Sequence, residues 1–313
     1  MNIVFMGTPD FAVHSLKAVY EKYDIKAVIT QPDRPKGRGK KLASPPVKVF
    51  AKTKGITVYQ PENINKGDFV DLLKKLNPDV VVVAAYGKIL SKDVLKIPRL
   101  GCINLHASLL PKYRGSAPIH WAIINGEKKT GVTTIYMNER MDAGDMILQK
   151  EVDILPDCTA GELHDKLAVV GSSVLVNTLD LIFSAKAPRI PQEHEKATYA
   201  PMIHREHERI NWKKESWQVK NHIRGMNPWP GAFTNLNDKV LKIWNAKTVD
   251  IDADARPGTV LHLDNNGIIV KTGSGCISVL ELQLQGKKKI TAGEFLRGNK
   301  IEIGAVLGGT VLV

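Results

Sequence analysis

Through its first half the chain alternates apolar runs of strand length with helical patterns. Residues 2–6, 25–30, 57–60, 79–86 (DVVVVAAY) and 102–106 (CINLH) have the first character, and residues 11–23, 47–54 and 69–76 the second. Strand, helix, strand at this spacing calls for a parallel sheet. Parallel neighbours need a crossover long enough to carry a helix, and such crossovers are right-handed. The expected fold class is therefore α/β, a Rossmann-like, mostly parallel sheet with helices on both faces. The turn after the first strand, Gly7-Thr8-Pro9-Asp10, offers Asp10 as a helix cap. It holds one glycine where a dinucleotide site needs G-x-G-x-x-G, so that fingerprint is absent.

Residues 31–46 (QPDRPKGRGKKLASPP) have no periodicity and four prolines. They read as a long loop, and loops of this length inside a domain usually have a function. No G-x-x-x-x-G-K-[ST] fits, which excludes a P-loop. Further on, residues 132–137 and 146–154 read as strands around the polar loop NERMDAGD (138–145), an expected antiparallel extension. Residues 159–183 read as a long helix with a capping box, Thr159 followed three residues later by Glu162. Residues 184–200, rich in Pro, Lys and small side chains, read as a linker. Beyond it the pattern changes to a short helix at 217–226, five short strands (232–236, 240–246, 258–263, 268–272, 277–284) and one late helix at 292–297. That succession suggests a small OB-like β-barrel domain. The expected division is 1–189, a linker at 190–206, and 207–313.

The length, 313 residues, suits two domains. No run approaches the roughly 18 apolar residues of a membrane span. The start, MNIVFMG, lacks the basic region, long apolar core and cleavage site of a secretory signal. Cys102, Cys158 and Cys276 are widely spaced and form no CxxC pair. A reducing, cytoplasmic setting with no membrane partner is expected. The net charge of +12 fits either a polyanionic partner or a solvated basic surface. Arg34, Lys36, Arg38, Lys40 and Lys41 crowd one loop, and Lys287, Lys288 and Lys289 form a second cluster. The excess is not confined to the tail, which from residue 204 onward carries 16 Lys and Arg against 11 Asp and Glu.

Residues 101–118, GCINLHASLLPKYRGSAP, carry the candidate chemistry. In an extended strand residues two apart point to one side, so Asn104 and His106 share a face. Pro111 ends any regular element. An amide and an imidazole at a strand's carboxyl end stand where open α/β sheets hold their ligands. A buried Asn and His with satisfied hydrogen bonds is the competing reading of these residues taken alone.

The run from Asn104 to Gly115, NLHASLLPKYRG, resembles the signature of the folate-dependent formyltransferases, and Met141-Asp142-Ala143-Gly144-Asp145 resembles its companion loop. MGTPDF at 6–11, TQPDRPKGRGKKL at 30–42, AYGKIL at 85–90 and NPWPGA at 227–232 extend the resemblance over nearly the whole chain. They narrow it to the branch that acts on charged initiator tRNA. The resemblance implies transfer of a formyl group from 10-formyltetrahydrofolate to the amino group of methionyl initiator tRNA. It implies a catalytic trio of Asn104, His106 and Asp142, and folate contacts at Ser108, Leu109, Leu110 and Pro111 and at Ala85, Tyr86, Gly87 and Ile89. It also implies that the basic loop, through Arg38 with Lys40 and Lys41, grips the tRNA acceptor end. Lys287, Lys288 and Lys289 are the best local candidates for tRNA contacts in an expected C-terminal tRNA-binding domain. The resemblance implies a monomer, and no metal is expected, since His106 has no ligand-like spacing to His120 or His164.

The chemistry agrees. Amine attack on a formyl carbon builds negative charge on oxygen, which preorganised donors such as an amide N–H stabilise. A carboxylate beside an imidazole fixes its tautomer and favours its charged form, so it can hold or pass the proton that the amine sheds. Asp142 suits that role better than its neighbour Asp145, which the turn uses as a hydrogen-bond acceptor. The alternative is a related formyltransferase acting on a small amine, such as a glycinamide ribonucleotide or an amino-sugar nucleotide. It would keep the trio and dispense with the basic loop. An RNA-binding protein with a vestigial folate domain is a second alternative, which the intact trio opposes.

Overall fold

The computed structural model of the chain describes residues 1–36 and 41–308. Two compact units share it. The first comprises Met1–Pro118, Lys129–Asp153 and His164–Pro201, and the second Ile119–Lys128, Ile154–Leu163 and the chain from Met202 onward. The second unit therefore takes in two internal excursions that the contiguous division read from the sequence does not carry. Its hold on them is visible in hydrogen bonds. Gly161 N donates to Asn227 O at 3.0 Å, and the Arg224 guanidinium donates to Cys158 O at 2.7 Å.

The first unit runs β1 (Ile3–Gly7), α1 (Asp10–Lys22), β2 (Ile25–Ile29), β3 (Arg34–Lys36), β4 (Lys41–Ala43), α2 (Pro46–Thr53), β5 (Val58–Tyr59), α3 (Gly67–Leu76), β6 (Val80–Ala84), α4 (Lys92–Leu95) and β7 (Cys102–His106). After α5 (Pro118–Ile124) it continues with β8 (Lys129–Tyr136), β9 (Met146–Asp153) and α6 (Ala160–Phe183). Seven strands form one sheet in the order β5-β2-β1-β6-β7-β8-β9. The first five are mutually parallel, and β8 is antiparallel to both β7 and β9. Strand order reverses between β1 and β6, the switch point at which such sheets open a crevice at their carboxyl ends.

The valines of β6 and the IVFMG of β1 are buried along their whole length. A strand covered on both faces has no polar side to alternate with, which is why these runs are continuously apolar. On one face Val4, Met6, Val81 and Val83 pack with Phe69 and Leu73 of α3 and Val94 of α4. On the other, Gly171 lets α6 approach Leu105 of β7 and Val132 of β8. Each fully buried aliphatic side chain here contributes roughly 1.5–3 kcal/mol. By length and composition α6 could cross a membrane. Its Leu163, Leu167, Ala168, Leu175 and Leu179 are nevertheless buried inside the protein.

Two local expectations are corrected. Asp10 does not cap α1. Pro9 occupies the cap position without a side-chain bond, and Asp10 lies in the first turn, where the helix dipole favours a carboxylate. The stretch 31–46 is also not wholly irregular, because β3 and β4 pair antiparallel as Arg34↔Ala43 and Lys36↔Lys41. The base of this hairpin is tied down by Asp33, whose carboxylate accepts from Lys48 Nζ at 2.7 Å and Gln60 Nε2 at 2.8 Å. Lys48 first, then Gln60, holds the Asp33 carboxyl down at about 2. The capping box at α6 is present as expected, with Glu162 accepting from Thr159 N at 2.8 Å.

The second unit carries α7 (Ser216–Gly225), β10 (Phe233–Leu236), β11 (Lys239–Val249), β12 (Val260–Asp264), β13 (Gly267–Lys271), β14 (Cys276–Leu284), β15 (Ile290–Thr291) and α8 (Ala292–Gly298). Its antiparallel sheet has the order β10-β11-β14-β13-β12, with β15 on β14. No ladder joins β10 to β12 among the described residues, so this OB-like unit is open at that seam. Ile268 and Val270, and Ile277 and Val279, alternate inward onto Trp212, Val219, Ile223 and Phe295.

Candidate active site

The site is built on the carboxyl end of β7. Val83 and Ala84 of β6 pair with Asn104 and Leu105, and Ile135 and Thr133 of β8 pair with Asn104 and His106. Cys102 belongs to the apolar cluster on the α3 side of the sheet. Alternation then puts Asn104 and His106 on that same side, beyond the cluster's edge. His106 is buried, and its Nε2 lies 2.9 Å from the carbonyl of Tyr113. A carbonyl only accepts, so Nε2 carries the hydrogen, and the partner assigns the tautomer. His106 Nδ1 faces Asp142 Oδ2 at 3.5 Å. Asn104 Nδ2 donates to Asp142 Oδ1 at 3.2 Å, and Gly115 N donates to Oδ2 at 2.9 Å. One carboxylate thus gathers an amide and an imidazole from β7 and a backbone N–H from the turn at Gly115.

Asp142 has a left-handed backbone, φ 51°, a conformation Asp tolerates better than most residues. Its loop lies hard against β8. A Cβ on Gly144 would stand 1.7 Å from Tyr136 O, so only glycine fits there. Tyr136 N donates to Asp145 O at 2.9 Å. The Asp145 side chain turns instead to Arg189, 3.7 Å away. Gln192 supports the loop from the other side. Its Nε2 donates to Asp142 O at 2.9 Å and Gly144 O at 2.7 Å, and its Oε1 accepts from Arg114 Nε at 3.1 Å and Nη2 at 2.6 Å. The stretch expected as a linker is accordingly fastened to this unit. Ile190 bridges Met146, and residues 198–200 bridge the turn at Arg114. At Gly115 (φ 122°) a Cβ would meet Ala200 O at 2.6 Å.

The residues 108–111 form a turn with its polar groups already engaged. Thr133 Oγ1 donates to Ser108 O at 2.7 Å and accepts from Leu110 N at 3.2 Å, while Gln149 Nε2 donates to Leu110 O at 2.7 Å. Ser108 and Leu110 are buried, whereas Leu109 and Pro111 are partly open. The other stretch leaves β6 next to the row of His106. There Ala85, Gly87 and Ile89 are exposed, and Tyr86 is buried in the apolar cluster, its hydroxyl pushed up to about 12 by burial. Arg38 and Lys40 lie outside the described residues, and of Lys41 only the backbone, in β4, is described. Lys287, Lys288 and Lys289 are exposed on the turn between β14 and β15, where Lys289 is ion-paired with Glu281 at 3.0 Å.

Sequence reasoning missed the supports. Gln192 sits in an aperiodic polar stretch, and Thr133 and Gln149 look like ordinary strand residues. Arg114 belongs to the recognised block, but nothing local signals that its guanidinium is buried, at 5% exposure.

Comparison with known proteins adds the family. Residues 1–179 match the formyl transferase family and residues 202–300 its C-terminal domain. The methionyl-tRNA formyltransferase of Pelotomaculum thermopropionicum is 55% identical over 310 residues, spanning 98% of this chain and 99% of the relative. That of Desulforamulus reducens is 53% identical over 312 residues, spanning 98% of both chains. Among solved structures, the sugar 3N-formyl transferase WlaRD, determined with dTDP and 5-N-formyl-THF, superposes with a TM-score of 0.67 at 22% identity. It covers 92% of this chain and 99% of its own, a likeness of fold. Matched at half or more of its positions over nearly its full length, and in both of its units, the chain belongs to the methionyl-tRNA formyltransferase family.

Proposed function

We propose that this chain moves a formyl group from 10-formyltetrahydrofolate to the α-amino group of methionine on initiator tRNA, in the cytoplasm, as a monomer, in support of translation initiation. The observation that carries the reading is the meeting of Asn104 and His106 on the Asp142 carboxylate at 3.2 and 3.5 Å. Residues 1–189 do the chemistry and residues 207–313 bind the tRNA.

The donor supplies a one-carbon unit already at the oxidation level of the product amide. Asn104 Nδ2 has two hydrogens, one given to Asp142. The other has no partner among the described residues and serves the formyl oxygen as negative charge grows there. His106 keeps its Nε2 hydrogen on the Tyr113 carbonyl, takes the proton shed by the attacking amine at Nδ1, and returns it to the donor nitrogen as the C–N bond to the formyl carbon breaks and tetrahydrofolate leaves. The Asp142 carboxylate, 3.5 Å from Nδ1, keeps the ring's orientation. Ala85, Gly87 and Ile89, with Leu109 and Pro111, are uncharged and at least partly open, a surface suited to a flat pterin ring. The sugar substrate of the WlaRD relative favours no second reading here, because relatives of 50–55% identity bear the tRNA enzyme's name.

The test is acceptor choice. With 10-formyltetrahydrofolate as donor, methionyl initiator tRNA should be formylated, and free methionine, glycinamide ribonucleotide and amino-sugar nucleotides should not. Preferred formylation of a small amine would overturn the reading. A second expectation concerns the tail. Neutralising Lys287, Lys288 and Lys289 to glutamine should weaken tRNA binding and flatten its dependence on salt, since phosphate contacts release counterions. Lys289, already paired with Glu281, should contribute least of the three. An unchanged salt slope would remove this cluster from the tRNA surface.

A further inference from the structure

We propose that Gln192 is a positioning residue for formyl transfer: with Arg114 behind it, its carboxamide holds the Asp142 loop so that the carboxylate stays turned to His106 and Asn104. The proposal rests on the role given to Asp142 above.

The Gln192 amide is 6% exposed and uses its whole hydrogen-bonding capacity, two N–H groups on the carbonyls of Asp142 and Gly144 and two lone pairs on Arg114. Its orientation is unambiguous. The reverse orientation would set an oxygen against two carbonyls and an NH2 against a guanidinium. Arg114 is the less expected partner. It is buried, it forms no ion pair among the described residues, and its other acceptor is the neutral nitrogen His194 Nδ1 at 2.9 Å. A buried cation without an anion is costly to keep. What it supplies here is two donors in a fixed fork, aimed at one oxygen. Polarised in this way, the carboxamide becomes a stronger donor to the loop carbonyls.

The connection closes on itself. Gly115, next in the chain to Arg114, donates its N–H to Asp142 Oδ2. One turn therefore grips Asp142 twice, directly at the side chain and through Gln192 at the backbone. Both holds keep Asp142 at its left-handed φ of 51°, and relaxation of that backbone would swing the carboxylate away. A shift of about 1 Å at such a group can cost 10²-fold in rate.

Gln192→Glu separates this role from a merely structural one. The retained oxygen still faces Arg114, now with opposite charge, so the segment stays docked. The new oxygen faces two carbonyls to which it cannot donate. The expected result is a kcat about 10–100-fold lower, KM values for tRNA and folate within about twofold, and an unfolding midpoint no lower than wild type. Gln192→Leu, which loses both sides, should show a similar kcat with a lower midpoint. Wild-type kcat in Gln192→Glu, or a loss of kcat that follows the midpoint across the two variants, overturns the proposal. Asp142→Asn measured alongside keeps the failures distinct. If it retains turnover, the role of Asp142 is wrong; if it is impaired while Gln192→Glu is not, only the positioning role falls.

Discussion

Asp142→Asn should lower turnover by roughly 10²–10⁴, the range for losing an acid–base partner, in a protein that still folds. The side chains are isosteric, and asparagine accepts the left-handed backbone of Asp142 (φ 51°) as readily as aspartate does. The amide oxygen can still accept from Gly115 N, 2.9 Å from Oδ2. What disappears is the charge facing His106 Nδ1 at 3.5 Å, together with one acceptor, the one toward Asn104 Nδ2 at 3.2 Å or the one toward Gly115 N, according to how the new amide turns. Single-turnover rates at saturating donor and charged tRNA measure the loss, and thermal unfolding controls for folding. The pH–rate profile should also change, because the imidazole has lost its carboxylate. A profile superimposable on wild type would remove Asp142 from the proton path.

Asn104→Ala should cost roughly 10²–10³ in turnover, the usual effect of removing one oxyanion donor, or about 2.7–4 kcal/mol of barrier. The contact with the formyl oxygen strengthens only as charge develops. The variant should therefore lose kcat and kcat/KM together, with KM unmoved. Asn104 is partly exposed on a strand whose ladder bonds come from the backbone, so folding should change little. Near-normal turnover, or a loss confined to KM, would assign Asn104 to binding alone.

The two variants bear on residues that stand two different distances from the sequence signal. Asn104 and His106 were legible because a strand's alternation is local, so CINLH by itself puts them on one face. The run DVVVVAAY announced a buried strand for the same reason, and the Thr159–Glu162 capping box announced the start of α6. Asp142 came from a resemblance, since no period links residue 142 to residue 104. The supports were invisible. Gln192 lies 50 residues from the carbonyl of Asp142, in a stretch whose composition reads as tether. Its importance comes from two partners that only the folded chain assembles. The excursions 119–128 and 154–163 escaped for a related reason, as membership of a packed unit depends on tertiary contacts such as Gly161 to Asn227. Asp10 misled because a good cap residue stood one position inside the helix, after a proline that took the cap position.

The central claim is that Asn104 and Asp142 serve one transition state through their mutual contact. A double-mutant cycle on single-turnover rate, using Asn104→Ala, Asp142→Asn and the combination, tests it most directly. Residues acting as a unit are far from additive, so the double variant should lose about as much as the worse single variant. Losses that multiply would mean that the two side chains act independently, and would contradict the account.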